Sequence, residues 1–265
     1  MRLDVFLKES GLASSRTRAQ ELIVNNFILV DKIICNDVKK EIDISKDNFE
    51  EIKNRIQIIE NEEMSYVSRS YKKLKVALSD FNIKVEDKIC LDIGSSTGGF
   101  TQVLCEGNAK QVISCDVGSD QFDKDLLKKY QNKISLFEKT DIRIFGKNNL
   151  ENNKNIYKNY FDIVVCDISF ISITKIVENI FELLKEGGEG VILIKPQFEV
   201  GKKNIGKGGL VKSEDENVSY KDLIDLTINN IKKVFTENNL KVINIIDSPI
   251  LGGDGNKEFL MYVKK

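Results

Sequence analysis

The 265-residue chain contains no histidine. That absence removes Ser-His-Asp and Cys-His nucleophiles, and any histidine-held metal, so its chemistry must run on lysines, carboxylates or hydroxyls. No stretch approaches the roughly 18 apolar residues that a spanning helix needs. The opening run MRLDVFLKES lacks the continuous apolar centre of a secretion signal. A soluble, cytoplasmic protein without a membrane partner is expected. Any C-x-x-C pair is missing too. Cys35, Cys90, Cys105, Cys115 and Cys166 are odd in number and widely spaced, mostly in apolar runs, which is the pattern of buried free thiols. Net charge is nearly nil, with 40 basic against 41 acidic residues, so only local clusters can indicate a polyanionic partner.

What remains is a chain with 41% hydrophobic residues, enough for one catalytic domain and a small appendage. Residues 1–60 read as two short helices and a β-rich tail. Leu3, Phe6 and Leu7 form the first stripe; Ser14 and Ser15 can cap a second helix carrying Ala19, Leu22 and Ile23. FILVDKIICN reads as two short strands about an Asp31-Lys32 turn, followed by a polar stretch from Lys39. Arg2, Arg16 and Arg18 lie in this part, where guanidinium groups can meet a phosphate backbone or simply cover a solvated helix face.

Residues 61–87 are read as a linker and a first helix. From residue 88, strands alternate with helical patterns, as in a mostly parallel sheet covered on both faces. The strands expected are 89–93, 111–116, 134–137, 161–167, 190–195, 242–247 and 258–263. The last two leave no room for a helix between them and should form an antiparallel edge hairpin. The asparagine- and lysine-rich segment 147–159 reads as a surface loop.

The run ICLDIGSSTGGFT places a strand and then Asp92, Gly94, Ser95, Thr97, Gly98, Gly99 and Phe100 at a strand-to-helix turn. There the backbone can approach a nucleoside or an amino acid. The spacing is not G-x-G-x-x-G, so a dinucleotide is not the natural ligand. Asp116, at the end of the next strand, can accept both ribose hydroxyls of an adenosine, and Asp141, after the third, can reach the adenine edge. Three strand-end features in this order point to S-adenosyl-L-methionine rather than a generic nucleotide. GKKNIGKG, from Gly201, imitates a phosphate loop but has Gly208 where the metal-binding Ser/Thr belongs. Asp167 and Lys195 end the fourth and fifth strands, at the sheet edge where open α/β sheets bind ligands. A lysine held between four apolar residues and a proline can take a proton from a hydroxyl, with Asp167 orienting it.

YVSRSYKKL (66–74), DIGSSTGGFT, CDVG, DISFIS, IKPQFE and GNKEF (255–259) together resemble the TlyA-type hemolysin/ribosomal RNA methyltransferase family. Its catalytic domain is similar to the FtsJ ribose 2′-O-methyltransferases, and the resemblance covers essentially the whole chain. The amino-terminal part resembles the alpha-L RNA-binding module of a small-subunit ribosomal protein and of pseudouridine synthases. Asn26 and Lys32 stand where that module usually has glycine. The resemblance implies a Rossmann-like seven-stranded α/β methyltransferase with a small α+β RNA-binding domain. It also implies a Lys-Asp-Lys-Glu tetrad at Lys73, Asp167, Lys195 and Glu258, with Lys72 an alternative to Lys73, and methylation of the ribose 2′-hydroxyl of cytidine in ribosomal RNA or ribosomal subunits, the large subunit first and the small subunit as a second target. Arg69, Lys202, Lys203 and Lys207, with Lys212, are candidate RNA contacts, and the glycines among these lysines suggest a mobile lid. A membrane-acting hemolysin and a catalytically silent RNA-binding protein are the competing readings. No spanning helix is foreseen for the first; a complete tetrad argues against the second.

Overall fold

The computed structural model describes residues 1–13, 15–24, 26–44, 48–59, 65–146 and 156–265. Ser14, one expected helix cap, and residues 147–155 of the expected surface loop lie outside the described residues. The chain divides into two compact units, residues 1–65 and 66–265.

The first unit runs α1 (Leu3–Glu9), α2 (Arg16–Val24), β1 (Ile28–Val30), β2 (Ile33–Ile34), α3 (Phe49–Arg55) and β3 (Ile56–Ile58). Leu3, Phe6, Leu7, Ala19, Leu22 and Ile23 of the two expected stripes meet Ile28, Ile52 and Ile56 in one core. β1 pairs antiparallel with both β2 and β3. Asn26, Asp31 and Lys32 all adopt positive φ, at 63°, 53° and 66°. The β1–β2 turn therefore forms with lysine in the left-handed region, which costs about 1 kcal/mol. Three bonds to Arg55, the last residue of α3, offset that cost: its guanidinium binds the Asp31 carboxylate at 2.7 Å through Nε and Nη2, and Asp31 N–H donates to the Arg55 carbonyl. α3 and β3 fall in the stretch read as merely polar. Asn48 and Glu51 form a reciprocal capping box there, and Ile52 supplies the buried contact.

The second unit runs α4 (Tyr71–Asp80), β4 (Ile89–Ile93), α5 (Gly99–Glu106), β5 (Gln111–Cys115), α6 (Lys124–Lys129), β6 (Ile134–Phe137), β7 (Phe161–Cys166), α7 (Val177–Leu183), β8 (Leu184–Ile194), α8 (Pro196–Glu199), α9 (Tyr220–Glu237), β9 (Lys241–Asp247) and β10 (Phe259–Lys264). The sheet order is β6-β5-β4-β7-β8-β10-β9, parallel except for β10, which is antiparallel to both neighbours. Side chains alternate along each strand, so every central strand feeds two cores. Cys90, Ile163, Val165, Val191 and Leu193 face α4 and α5; Leu91, Ile93, Val164, Cys166 and Ile192 face α7 and α9. The β9–β10 hairpin lies at the edge, as expected. β8 begins earlier than its apolar run, at Leu184, which pairs with Phe161. The polar Lys185 to Glu189 hid this start. Their backbone is nonetheless bonded, since Gly187 N–H and Gly188 O both pair with Lys265. All five cysteines are buried and free. Burial pushes the Cys105 and Cys115 thiols up to about 12, so neither is a nucleophile.

Candidate active site

Strand register brings the site together. Ile93 of β4 pairs with Cys166 of β7, so the residues that follow, Gly94 and Asp167, emerge side by side. Ile194 of β8 pairs with Phe259 of the antiparallel β10, so Lys195 leaves one strand where Glu258 enters the other.

Gly94 holds φ +81°, and a Cβ placed on it would lie 2.8 Å from the Asp167 carbonyl oxygen, closer than any real side chain tolerates. Glycine is required here by both backbone conformation and packing. Gly98, at φ +98°, precedes the first turn of α5. A cavity of about 420 Å³ opens beyond these strand ends, and its wall includes Gly94, Ser96, Asp116, Asp141, Asp167 and Phe170. Asp116 Oδ2 accepts the Ser96 N–H at 2.8 Å, and Oδ1 accepts the Gly118 N–H at 2.7 Å. Asp141 is gripped by Arg143, whose guanidinium hydrogen bonds hold the carboxyl below its usual range. The remaining residues expected at the cofactor form the turn itself. Asp92 and Phe100 are buried behind it, Ser95 is buried within it, Thr97 gives its carbonyl to the Asp123 N–H, and Gly98 and Gly99 start α5.

Asp92 is fully buried. The Thr101 hydroxyl donates to its Oδ2 at 2.6 Å, and Oδ1 has no hydrogen-bond partner. Burial pushes its carboxyl up to about 7. Ser95 Oγ is likewise buried without a partner.

Beside the cavity lies a cluster of four charged side chains. Lys73 Nζ is 2.6 Å from Glu258 Oε2 and 3.8 Å from Asp167 Oδ2; Lys195 Nζ is 2.5 Å from Asp167 Oδ1. That last contact is an ion pair lying off the hydrogen-bond direction, which leaves Oδ1 without a directed bond, while Lys195 Nζ donates to Ser169 Oγ at 2.8 Å. Lys73, Lys195 and Glu258 are all under a tenth exposed. Of the two adjacent lysines, Lys73 makes these contacts. Two lysines and two carboxylates balance in formal charge, the arrangement that buried charge requires.

The candidate RNA contacts are distributed over both units. In the first, Arg2 and Arg16 both bind the buried Asp4 carboxylate, at 3.0 and 2.8 Å, while half their side-chain surface or less stays in solvent. Arg18 is half-buried on α2. In the second, Arg69, Lys202, Lys203, Lys207 and Lys212 are exposed. The segment from Gly201 forms two short 3-10 turns, Lys202–Asn204 and Lys207–Gly209, and does not lead from a strand directly into a helix. Sequence reasoning passed over Ser169, Arg143 and Gln121, which hold Lys195, Asp141 and Ser96. The first two each stand two residues beyond a singled-out aspartate, and that was the available signal.

The FtsJ-like methyltransferase family matches residues 66–265, and the S4 domain matches residues 1–47. Hemolysin A of Brachyspira hyodysenteriae is 36% identical, over 99% of both chains. The 23S rRNA (cytidine-2′-O)-methyltransferase TlyA of Campylobacter jejuni is 34% identical, over 100% of both. A solved structure from Streptococcus thermophilus superposes with a TM-score of 0.71 at 29% identity, covering 100% of this chain and 88% of that one.

Proposed function

The chain belongs to the FtsJ-like methyltransferase family, and we propose that it methylates the ribose 2′-hydroxyl of a cytidine in ribosomal RNA, using S-adenosylmethionine. The Lys73–Asp167–Lys195–Glu258 cluster beside the cavity carries this reading. The full-length relative named for cytidine 2′-O-methylation of 23S rRNA supports the substrate.

The cavity suits the cofactor. It has the volume of a small-molecule site and lies where open α/β sheets bind nucleotides. Gly94 lets the backbone come close, Asp116 offers a carboxylate to a ribose, and Asp141 offers one to an adenine amino group. The unpartnered Ser95 Oγ stands at the turn bordering it. S-adenosylmethionine supplies an electrophilic methyl group on a sulfonium. Lys195 Nζ serves the 2′-hydroxyl as its base when neutral or, as the ammonium, stabilises the developing alkoxide, and Asp167 with Ser169 fixes where that nitrogen points. Lys73 and Glu258, joined at 2.6 Å, hold the ribose in line for attack. The amino-terminal unit and the exposed lysines after Lys195 bind RNA phosphates.

Unmodified ribosomal subunits, incubated with methyl-labelled S-adenosylmethionine and then digested, should carry the label on a cytidine ribose. Lys195→Ala should reduce transfer by about 10²- to 10⁴-fold with cofactor binding retained. Undiminished transfer by that variant would remove Lys195 from its role.

A further inference from the structure

Asn256 is 4% exposed and has no part in the chemistry above. Its carboxamide spans two backbone groups of another segment: Oδ1 accepts the Val211 N–H at 2.9 Å, and Nδ2 donates to the Gly209 carbonyl at 2.9 Å. The residue is itself fixed in a tight turn, because its own carbonyl accepts the Gly252 N–H and the Gly252 carbonyl accepts the Gly255 N–H. Two positions further on is Glu258, bonded to Lys73.

The gripped segment is the lysine-rich loop after β8. Its glycines suggest a mobile lid, yet it is closed on itself. Ile205 and Val211 form an antiparallel bridge, Gly206 N–H donates to Leu210 O, and Asn204 receives the backbone N–H groups of both Lys212 and Glu214. Lys202, Lys203, Lys207 and Lys212 are therefore carried on one piece, and the Asn256 carboxamide fastens that piece to the turn that sets Glu258. Each end of a buried amide that loses its partner is costly, so loop and turn shift together.

We propose that Asn256 is a positioning residue that couples the lysine loop to Glu258, so that phosphates seated on the loop align the Glu258–Lys73 pair on the target ribose. RNA binding energy is then realised in the chemical step as well as in affinity. The proposal rests on the methyl-transfer reading. Misplacement of a positioning group by about 1 Å costs on the order of 100-fold in rate. Asn256→Ala should accordingly lower kcat about 10- to 100-fold, with the Kd for S-adenosylmethionine and the KM for ribosomal RNA nearly unchanged. Asn256→Asp keeps the acceptor for Val211 but loses the donor to Gly209, and should fall between; it also replaces the alanine variant if that one fails to fold. Lys207→Ala should lower kcat in the wild-type background but only raise KM in the Asn256→Ala background, a loss of coupling that general destabilisation does not produce. An active wild type with an unchanged kcat in Asn256→Ala, or a Lys207→Ala effect on kcat that is equal in both backgrounds, overturns this proposal alone. A wild type that transfers no methyl group overturns the functional reading, and the proposal with it.

Discussion

Asp4 sits wholly buried on α1, where it gathers Arg2, Arg16 and Gln20 around one carboxylate. Burial alone would raise its pKa, but the hydrogen bonds from Arg16, Gln20 and Arg2 outweigh it and hold the group at about 2. The stability it contributes is complete above the ordinary carboxylate range, near pH 4, and drains away as the pH falls toward about 2. Hydrogen exchange at the α1 and α2 amides of the full chain should therefore accelerate across that window. Asp4→Ala should bring the acceleration to neutral pH, with a loss of roughly 1.5–3 kcal/mol. Unaltered protection in that variant would show that the arginines need no anchor. The sequence offers Arg2 and Arg16 to RNA without revealing that both pair with Asp4. Arg2 and Asp4 share the first turn of α1, whereas Arg16 opens α2, and only the packing of α1 on α2 brings it to Asp4. Lys195 and Asp167 were legible because each ends an apolar run. Asn256 was visible only as part of a motif, since its partners lie 45 and 47 positions away.

Elements were legible wherever hydropathy and backbone agree. β4, β6 and the edge hairpin announce themselves through apolar runs and short spacings. The start of β8 does not, because Lys185 to Glu189 pair by backbone groups while their side chains read as loop. α3 was passed over although Asn48 and Glu51 spell out its capping box. The β4–α5 turn is where an element and the site are one object. Gly94→Ala there imposes left-handed strain of about 1–2 kcal/mol and drives a methyl group into the Asp167 carbonyl. Calorimetry should show S-adenosylmethionine binding weakened at least about tenfold, with methyl transfer falling further because Asp167 is displaced. Wild-type affinity in that variant would mean that the turn relaxes freely.

At the scale of the whole molecule, each unit closes its own hydrophobic core. Residues 66–265 alone should fold and bind S-adenosylmethionine as the full chain does, while affinity for ribosomal RNA drops by about 100-fold. Filter binding on both forms measures this; equal RNA affinities would leave the amino-terminal unit without its proposed part. The sheet carries a further implication in the order β8-β10-β9, where the last strand in sequence is inserted next to the fifth of the seven. During synthesis, a chain that has emerged only to residue 257 already holds Gly94, Asp116, Asp141, Asp167 and Lys195, yet lacks Glu258 and the strand that seats it. On the proposed roles, a nascent or prematurely halted chain can occupy RNA but cannot mark it, and the capacity to modify the ribosome arrives only as the ribosome delivers residues 258–264.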